Sequence, residues 1–359
     1  MYRLKSIVNS RVLDSFRKQG YKFSIILVLI LLIIFALWAY SDITTKSRMA
    51  RNSVLDYEVD TSRLEKVFTK AMNGHPVTIA VIGGSITEGA RATTKERQWS
   101  NLLAKWFSAR FPKSEVNLIN AGIGSTGSLY GVHRIDQDVL SYEPDIVVVE
   151  FAVNDGASMQ YSGAMEGLVR KILMSSNNAA AIMLFMSQHK GKTVQEWHST
   201  IGAHYRLPMI SYRDAIWPEI TKGKIEWSDI SADKVHPNDN GHKLIANLLI
   251  SYLESLQRNM PQDMHAEIAK LPDPLLTDIY ETARILKTTQ LEPVYNSGWV
   301  QNESGWYADK PGSVISFIVK GTHLALRYWR VKGGSGVTEV TVDKGNTTHL
   351  DAYTCLLYT

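Results

Sequence analysis

With 359 residues, 45% hydrophobic and 21% charged, the chain has the composition of a globular protein that can bury one large domain and an addition. Much of its formal charge of +4 comes from the start, where Arg3, Lys5, Arg11, Arg17, Lys18 and Lys22 face a lone acid, Asp14; this is no signal for nucleic acid. The single cysteine, Cys355, excludes an internal disulfide framework and any metal site built from cysteines.

Residues 1–22 are the basic leading segment. Residues 23–40 follow as F-S-I-I-L-V-L-I-L-L-I-I-F-A-L-W-A-Y, without a charge. As a helix at about 1.5 Å per residue this run reaches roughly 27 Å, close to a bilayer's hydrocarbon thickness. A helix inside a globular domain has no need to be apolar on every face. A single transmembrane anchor is therefore expected, with the basic flank cytoplasmic, Trp38 and Tyr40 at the far interface, and the remainder outside the cytoplasm. A cleaved signal peptide is the competing assignment, since Ala39-Tyr40-Ser41 resembles a cleavage site, although the apolar run and the leader are long for one.

Residues 41–60 are polar and mixed in charge and are expected to be a linker; an α/β domain is expected over 61–260. Ser62-Arg63-Leu64-Glu65 is a capping-box pattern that opens a helix, with Gly74 closing it. Thr78 to Ile82 is a short, β-branched apolar run that stops at Gly83-Gly84, as a buried parallel strand entering a tight turn does. Trp99, Leu102, Leu103, Trp106 and Phe107 recur at helical spacing, predicting a helix from Gln98 to Phe111. Val116 to Asn120 reads as a second strand running into the glycine-rich loop from Ala121 to Ser128. Ile146 to Phe151 reads as a third, Ala179 to Met186 as a fourth and Pro208 to Ser211 as a fifth. Gly241 to Leu256 is the closing helix. Alternation of this kind predicts βαβ units and a parallel sheet covered on both faces. Residues 261–290 connect to residues 291–359, where Ser313 to Val319, Leu324 to Tyr328 and Val337 to Val342 alternate with turns such as Lys332-Gly333-Gly334. That predicts a small antiparallel β module, expected to be incomplete or to close on the main domain, since no terminal turn precedes Thr359.

Three predicted strand ends carry polar groups on one edge of the sheet, where open α/β folds put their ligands. They are Ser85, the Gly124-Ser125 loop, and Asn154-Asp155; Asp233 and His236 precede the closing helix. A serine that attacks an ester needs a base, a group that orients the base, and donors aimed at the developing oxyanion. Asp and His three apart on a turn can point the same way, and Asn154 and glycine-loop N–H groups can donate. Glu88 and Glu150 suit either a pocket or a buried hydrogen-bonded role. Asp155 suits a structural role in holding the Asn154 loop. His189 and His242 are expected on surface or loop, with His189 near a strand end, and His133 on a helix without a role. No spacing suggests a metal site, and G-G-S-I-T-E-G lacks the G-x-G-x-x-G of dinucleotide binding, so no cofactor is expected.

The ordered set G-G-S-I-T, N-A-G-I-G-S-T-G-S, A-V-N-D and D-K-V-H-P, over about Pro76 to Leu256, resembles the SGNH/GDSL hydrolase superfamily. The resemblance implies a flavodoxin-like three-layer α/β/α sandwich. It implies Ser85 as nucleophile, His236 as base and acid, Asp233 as its orienter, and an oxyanion hole of the Ser85 N–H, a Gly124 or Ser125 N–H and the Asn154 amide. The sequence departs from the family in Gly84, where the family has Asp, and Ala152, where it has Gly. The blocks G-G-S-I-T-E-G and E-F-A-V-N-D are most similar to members that remove acetyl groups from carbohydrates, which implies an acetylated carbohydrate as substrate. A lipase, thioesterase or acyltransferase of the superfamily is the enzymatic alternative. A surface-anchored carbohydrate-binding protein with an inactive hydrolase domain, using Trp299, Trp306, Tyr307, Tyr328 and Trp329, is the alternative of another class.

Overall fold

The computed structural model describes residues 31–32, 40–260, 268–303, 305–330, 333, 336–343 and 345–352. The basic segment 1–22, the anchor 23–40 except Leu31, Leu32 and Tyr40, Lys332 and Gly334 of the expected turn, and Cys355 lie outside them. Among the described residues no helix is long and apolar enough to cross a membrane. The chain divides into two units, residues 1–285 and residues 286–359.

The first unit is built on five parallel strands, β1 (Val77–Gly83), β2 (Val116–Gly122), β3 (Ile146–Glu150), β4 (Ala180–Phe185) and β5 (Met209–Ser211), in the order β2-β1-β3-β4-β5. This is the flavodoxin-like order, with its switch point between β1 and β3. Side chains alternate across the sheet. Ile79, Val81, Ile146, Val148, Ile182 and Leu184 enter one core with helices Ser62–Met72, Trp99–Arg110, Tyr212–Thr221 and Asp239–Arg258. Ala80, Ile82, Val147, Val149, Ala181 and Met183 enter the other with helices Ser128–Asp138, Met159–Leu173 and Gln195–His204. Strands buried on both faces are built from apolar residues: β4 is apolar throughout, β1 apart from Thr78, and β3 up to its last residue, Glu150.

Several expectations are corrected. Residues 40–53 are helical rather than a linker: Met49 is buried in the first core, and Arg48 reaches the buried Glu219 with two nitrogens, at 3.1 and 2.8 Å. The polar, mixed composition hid a helix whose ion-pair partner lies far along the chain. The helix at Ser62 starts after Thr61, one step earlier than its motif suggests; the Thr61 hydroxyl donates to the Glu65 carboxylate, and Asp60 accepts the Ser62 N–H. The closing helix begins at Asp239, because the Asn238 side chain accepts the Asn240 and Gly241 N–H groups.

The last part of the first unit is fastened to the helix Met159–Leu173. Glu166, fully buried, accepts the Leu275, Leu276 and Thr277 N–H groups and the Tyr205 hydroxyl. Arg170 bonds to Glu281 and the Pro272 carbonyl, and Lys171 to Asp136 and the Ala283 carbonyl. Gly167 makes room for this, since a Cβ there would meet that of Tyr280 at 2.4 Å.

Among the described residues the second unit has six short strands in three antiparallel pairs: β6 (Tyr295–Ser297) with β9 (Val314–Ser316), β7 (Val300–Asn302) with β8 (Gly305–Tyr307), and β10 (Val337–Thr341) with β11 (Thr347–Asp351). The run Leu324 to Tyr328 is not a strand; its Leu324, Leu326 and Tyr328 are exposed, and among the described residues no strand pairs with it.

Glu166→Ala should lower the unfolding free energy by about 3 kcal/mol, because it strands three buried backbone donors and a tyrosine hydroxyl. Urea denaturation of the two proteins measures this directly, and a difference under about 1 kcal/mol would mean that the clamp contributes little.

Candidate active site

Strand β1 ends at Gly83, and the chain turns at Gly84 into the short helix Ser85–Glu88, which Gly89 closes at φ 105°. This turn sits directly on the end of β2. A Cβ at Gly122 would fall 2.1 Å from the Glu88 nitrogen, so only glycine permits the approach. Asn120 secures the same contact: its Nδ2 donates to the Thr87 carbonyl at 2.8 Å and to Ser100 Oγ at 3.2 Å, while its Oδ1 accepts the Gly122 N–H at 2.9 Å. The Ile123 N–H and the buried Arg134 guanidinium both donate to the Gly83 carbonyl, at 3.1 and 3.2 Å.

His236 enters from the other side, on the turn before the helix Asp239–Arg258. Its Nε2 is 2.9 Å from Ser85 Oγ and its Nδ1 is 2.9 Å from Asp233 Oδ2. An ionised carboxylate only accepts, so Nδ1 carries the proton and Nε2 is left to accept the serine hydroxyl. Asp233 Oδ1 also accepts the Val235 and His236 N–H groups, each at 2.8 Å, which closes the turn on itself. Partial burial would raise this carboxyl; the bonds from the His236 N–H, the His236 ring and the Val235 N–H outweigh it and hold the group at about 2. The backbone of the turn is fixed in turn by Trp227, whose Nε1 donates to the Asp233 carbonyl at 2.7 Å, and by Ser231 Oγ, which meets the Asp233 and His236 carbonyls.

Asn154 comes to the same place from the end of β3. A Cβ on Gly84 would fall 2.4 Å from its Oδ1 and 2.7 Å from its Nδ2, so the amide occupies the space a larger residue would need. Gly124 lies against Ser85, with 3.8 Å from its added Cβ to that of Ser85, and Ser125 follows with a left-handed backbone at φ 59°. The structure thus brings together Ser85, His236, Asp233, Asn154 and Gly124. The combination suits transfer of a hydroxyl proton to an imidazole with polar donors alongside.

The other candidates fall elsewhere. Asp155 Oδ1 accepts the Ser128 N–H at 2.8 Å, and its Oδ2 lies 3.1 Å from Nε2 of the buried His198. Glu150 is fully buried and Glu88 exposed, with Glu88 Oε2 over Gly124. His189 is exposed; its N–H donates to the Lys234 carbonyl and its ring meets Trp227 edge-on. His133 bonds to the Leu129 carbonyl within its helix. His242 is not on the surface as expected but fully buried, its ring against the Ala90 carbonyl and the Trp99 N–H, and burial lowers its pKa. Sequence reasoning missed Arg91, whose Nε is 3.5 Å from Asp233 Oδ2 on a backbone at φ 69°, and Trp227. No motif marks either. Asn120 also went unassigned, although it opens the N-A-G-I-G-S block.

Residues 81–244 match the model of the GDSL-like lipase/acylhydrolase family. The chain is similar to a crystallised two-domain esterase active on acetylated mannans, solved with and without mannopentaose. The two are 33% identical at a TM-score of 0.68, over 74% of this chain and 73% of that one. It is also 25% identical over 187 residues to the thioesterase 1/protease 1/lysophospholipase L1 of Escherichia coli K12, covering 50% of this chain and 84% of that protein.

Labelling by a fluorophosphonate reads the geometry of the turn. Gly84→Ala, which displaces the Asn154 amide, should slow labelling of Ser85 by about 100-fold, the usual loss for one oxyanion donor. An unchanged rate, followed by mass spectrometry of the labelled peptide, would remove Asn154 from the donor set.

Proposed function

Because this chain belongs to the GDSL-like lipase/acylhydrolase family, and is with it a carboxylic ester hydrolase, we propose that it removes acetyl groups from carbohydrates through Ser85, His236 and Asp233. The observation that carries the proposal is the continuous pair of 2.9 Å bonds from Ser85 Oγ to His236 and from His236 to Asp233. Ser85 Oγ attacks the acetyl carbonyl as His236 Nε2 takes its proton. The tetrahedral oxyanion is met by the Ser85 N–H, the N–H of Gly124 or Ser125, and the Asn154 amide. Collapse breaks the bond to the sugar oxygen, which leaves with the proton from His236, and the acetyl group stays on Ser85. Water then attacks, giving its proton to His236, and release of acetate restores the hydroxyl. Asp233 stays charged throughout and holds the imidazole in the tautomer that accepts at Nε2.

The choice of acetylated carbohydrate is supported by the relative that acts on acetylated mannans. Residues 23–40 are proposed to anchor the chain, with the catalytic domain outside the cytoplasm.

The test is acid release by full-length protein in detergent from p-nitrophenyl esters of increasing chain length and from acetylated mannan and xylan, with Ser85→Ala alongside. Release from short esters and glycans, lost in the variant by a factor of at least about 1,000, is expected. Preference for long acyl chains would move the assignment to a lipase or thioesterase. Undiminished turnover in Ser85→Ala would sink the nucleophile, and sugar binding without any turnover would favour a carbohydrate-binding protein.

The pH profile has a definite sign. Protonated His236 cannot accept the serine proton, so the rate should fall as pH drops. Asp233, depressed to about 2, stays ionised over that range; its own contribution to stability is lost only as pH falls through that value. The acid limb should therefore titrate as one proton, and a two-proton limb in mild acid would mean that Asp233 protonates as well.

A further inference from the structure

Glu150 is the last residue of β3, and strand alternation sends its side chain to the face that Ile146 and Val148 share. It is fully buried. Its Oε2 accepts the Thr87 hydroxyl at 2.9 Å, the Gly84 N–H is directed at the carboxyl, and Oε1 has no partner. Gly84 and Thr87 are the residues on either side of Ser85 and Ile86, so the carboxyl holds both ends of the turn that presents the hydroxyl. Asn154 Oδ1, likewise buried and without a partner, packs against the same Gly84.

The charged groups around this carboxyl offer it nothing. Asp155, on the loop after β3, adds a negative charge, and Glu88 lies exposed at the end of the turn. His242, on the helix packed over this face, is buried and bonded to the Ala90 carbonyl and the Trp99 N–H. His236 and Asp233 bond to each other and to Ser85. Arg134 belongs to a helix of the opposite face and donates to the Gly83 carbonyl and Asp138. Among the described residues no cation pairs with Glu150. An unpaired buried carboxylate is expelled from such a site by taking a proton.

We propose that Glu150 is a positioning residue for the hydrolysis: as a neutral acid it braces the Gly84–Thr87 turn under Ser85, and its ionisation, which leaves an unpaired charge in the core, drives the carboxyl away from the turn and stops turnover. The proposal rests on Ser85 being the nucleophile. Burial first of all pushes the carboxyl up to about 8; the Thr87 hydroxyl opposes the shift and Asp155 adds to it. A folded-state value above the ordinary one means that the folded chain holds a proton the unfolded chain releases. Stability from this group is full below the ordinary carboxylate range and declines as pH rises towards about 8.

The experiment is acetate release by full-length protein in detergent from about pH 6 to pH 10, corrected for spontaneous hydrolysis, with return to neutral pH to check reversibility. Wild type should lose activity reversibly with a midpoint near pH 8. Glu150→Ala should lose activity at all pH values, whereas Glu150→Gln, which is uncharged and can still accept from Thr87, should restore it at neutral pH and lack the alkaline limb. Thr87→Val removes one of the two bonds that hold the turn and a donor that favours the carboxylate, so it should lower the rate at neutral pH and move the midpoint of the remaining activity upward, a test that stands even if the Glu150 variants fail to fold. An alkaline limb that persists unchanged in Glu150→Gln, or a midpoint unmoved in Thr87→Val, overturns the proposal. Those results with Ser85→Ala inactive overturn the role of Glu150 alone; full activity in Ser85→Ala removes the nucleophile assignment beneath it.

Discussion

The active edge of the sheet depends on one close approach of backbone to backbone. The Ser85–Glu88 turn is seated on the end of β2 at a distance that leaves no room for a Cβ on Gly122. Everything polar nearby maintains that seating. Asn120 bonds to both partners of the contact, and the Gly83 carbonyl collects donors from the loop after β2 and from Arg134. Buried backbone groups at a strand end must find partners. Here the partners are supplied by the neighbouring strand ends, and that requirement gathers chemically distinct side chains onto one edge.

Within this small volume three carboxyl groups are sorted by their surroundings rather than by residue type. Asp233 receives two backbone N–H groups and an imidazole, and remains partly exposed; it is held ionised. Asp155 meets the first N–H of the helix Ser128–Asp138 and faces His198, so its place is structural. Glu150 receives a hydroxyl and sits where water does not reach; it keeps its proton. Opposite environments within one site are the usual means by which it holds both a charged and an uncharged carboxyl at neutral pH.

The sequence disclosed what repeats a local rule. Apolar runs located β1 to β4, the first stopping at Gly83-Gly84, and the strand ends then put Ser85, Asn154 and the Gly124 loop on one edge, with Asp233 and His236 added by their spacing. The parts that stayed hidden depend on partners distant in the chain. The helix at 40–53 looked like a linker because its anchor, Glu219, is 171 residues from Arg48. His242 looked like a surface residue because only the packing of the closing helix against Trp99 and Ala90 buries it. Trp227 and Arg91 carried no motif, since each acts through a single contact with Asp233. Glu150 was ambiguous for a related reason: an acid ending an apolar strand can face a pocket or a core, and strand alternation decides only once the register of the sheet is known.

Arg91 shows how finely the charge at the edge is balanced. Its guanidinium stands 3.5 Å from the same Asp233 oxygen that receives the His236 ring, but the side chain is 60% exposed. An exposed pair of this kind contributes little to stability because water and salt screen it. The carboxylate therefore owes its charge to the N–H groups of its own turn and the His236 ring, and not to the exposed cation at the rim. That division is what an acyl-transfer site needs. The group that fixes the imidazole tautomer is local to the turn, while the rim cation is largely exposed to solvent. The His236 and Asp233 side chains keep 27% and 35% of their surface open to solvent, so the proton-transfer pair is reached from outside without unfolding any element of the sheet that supports it.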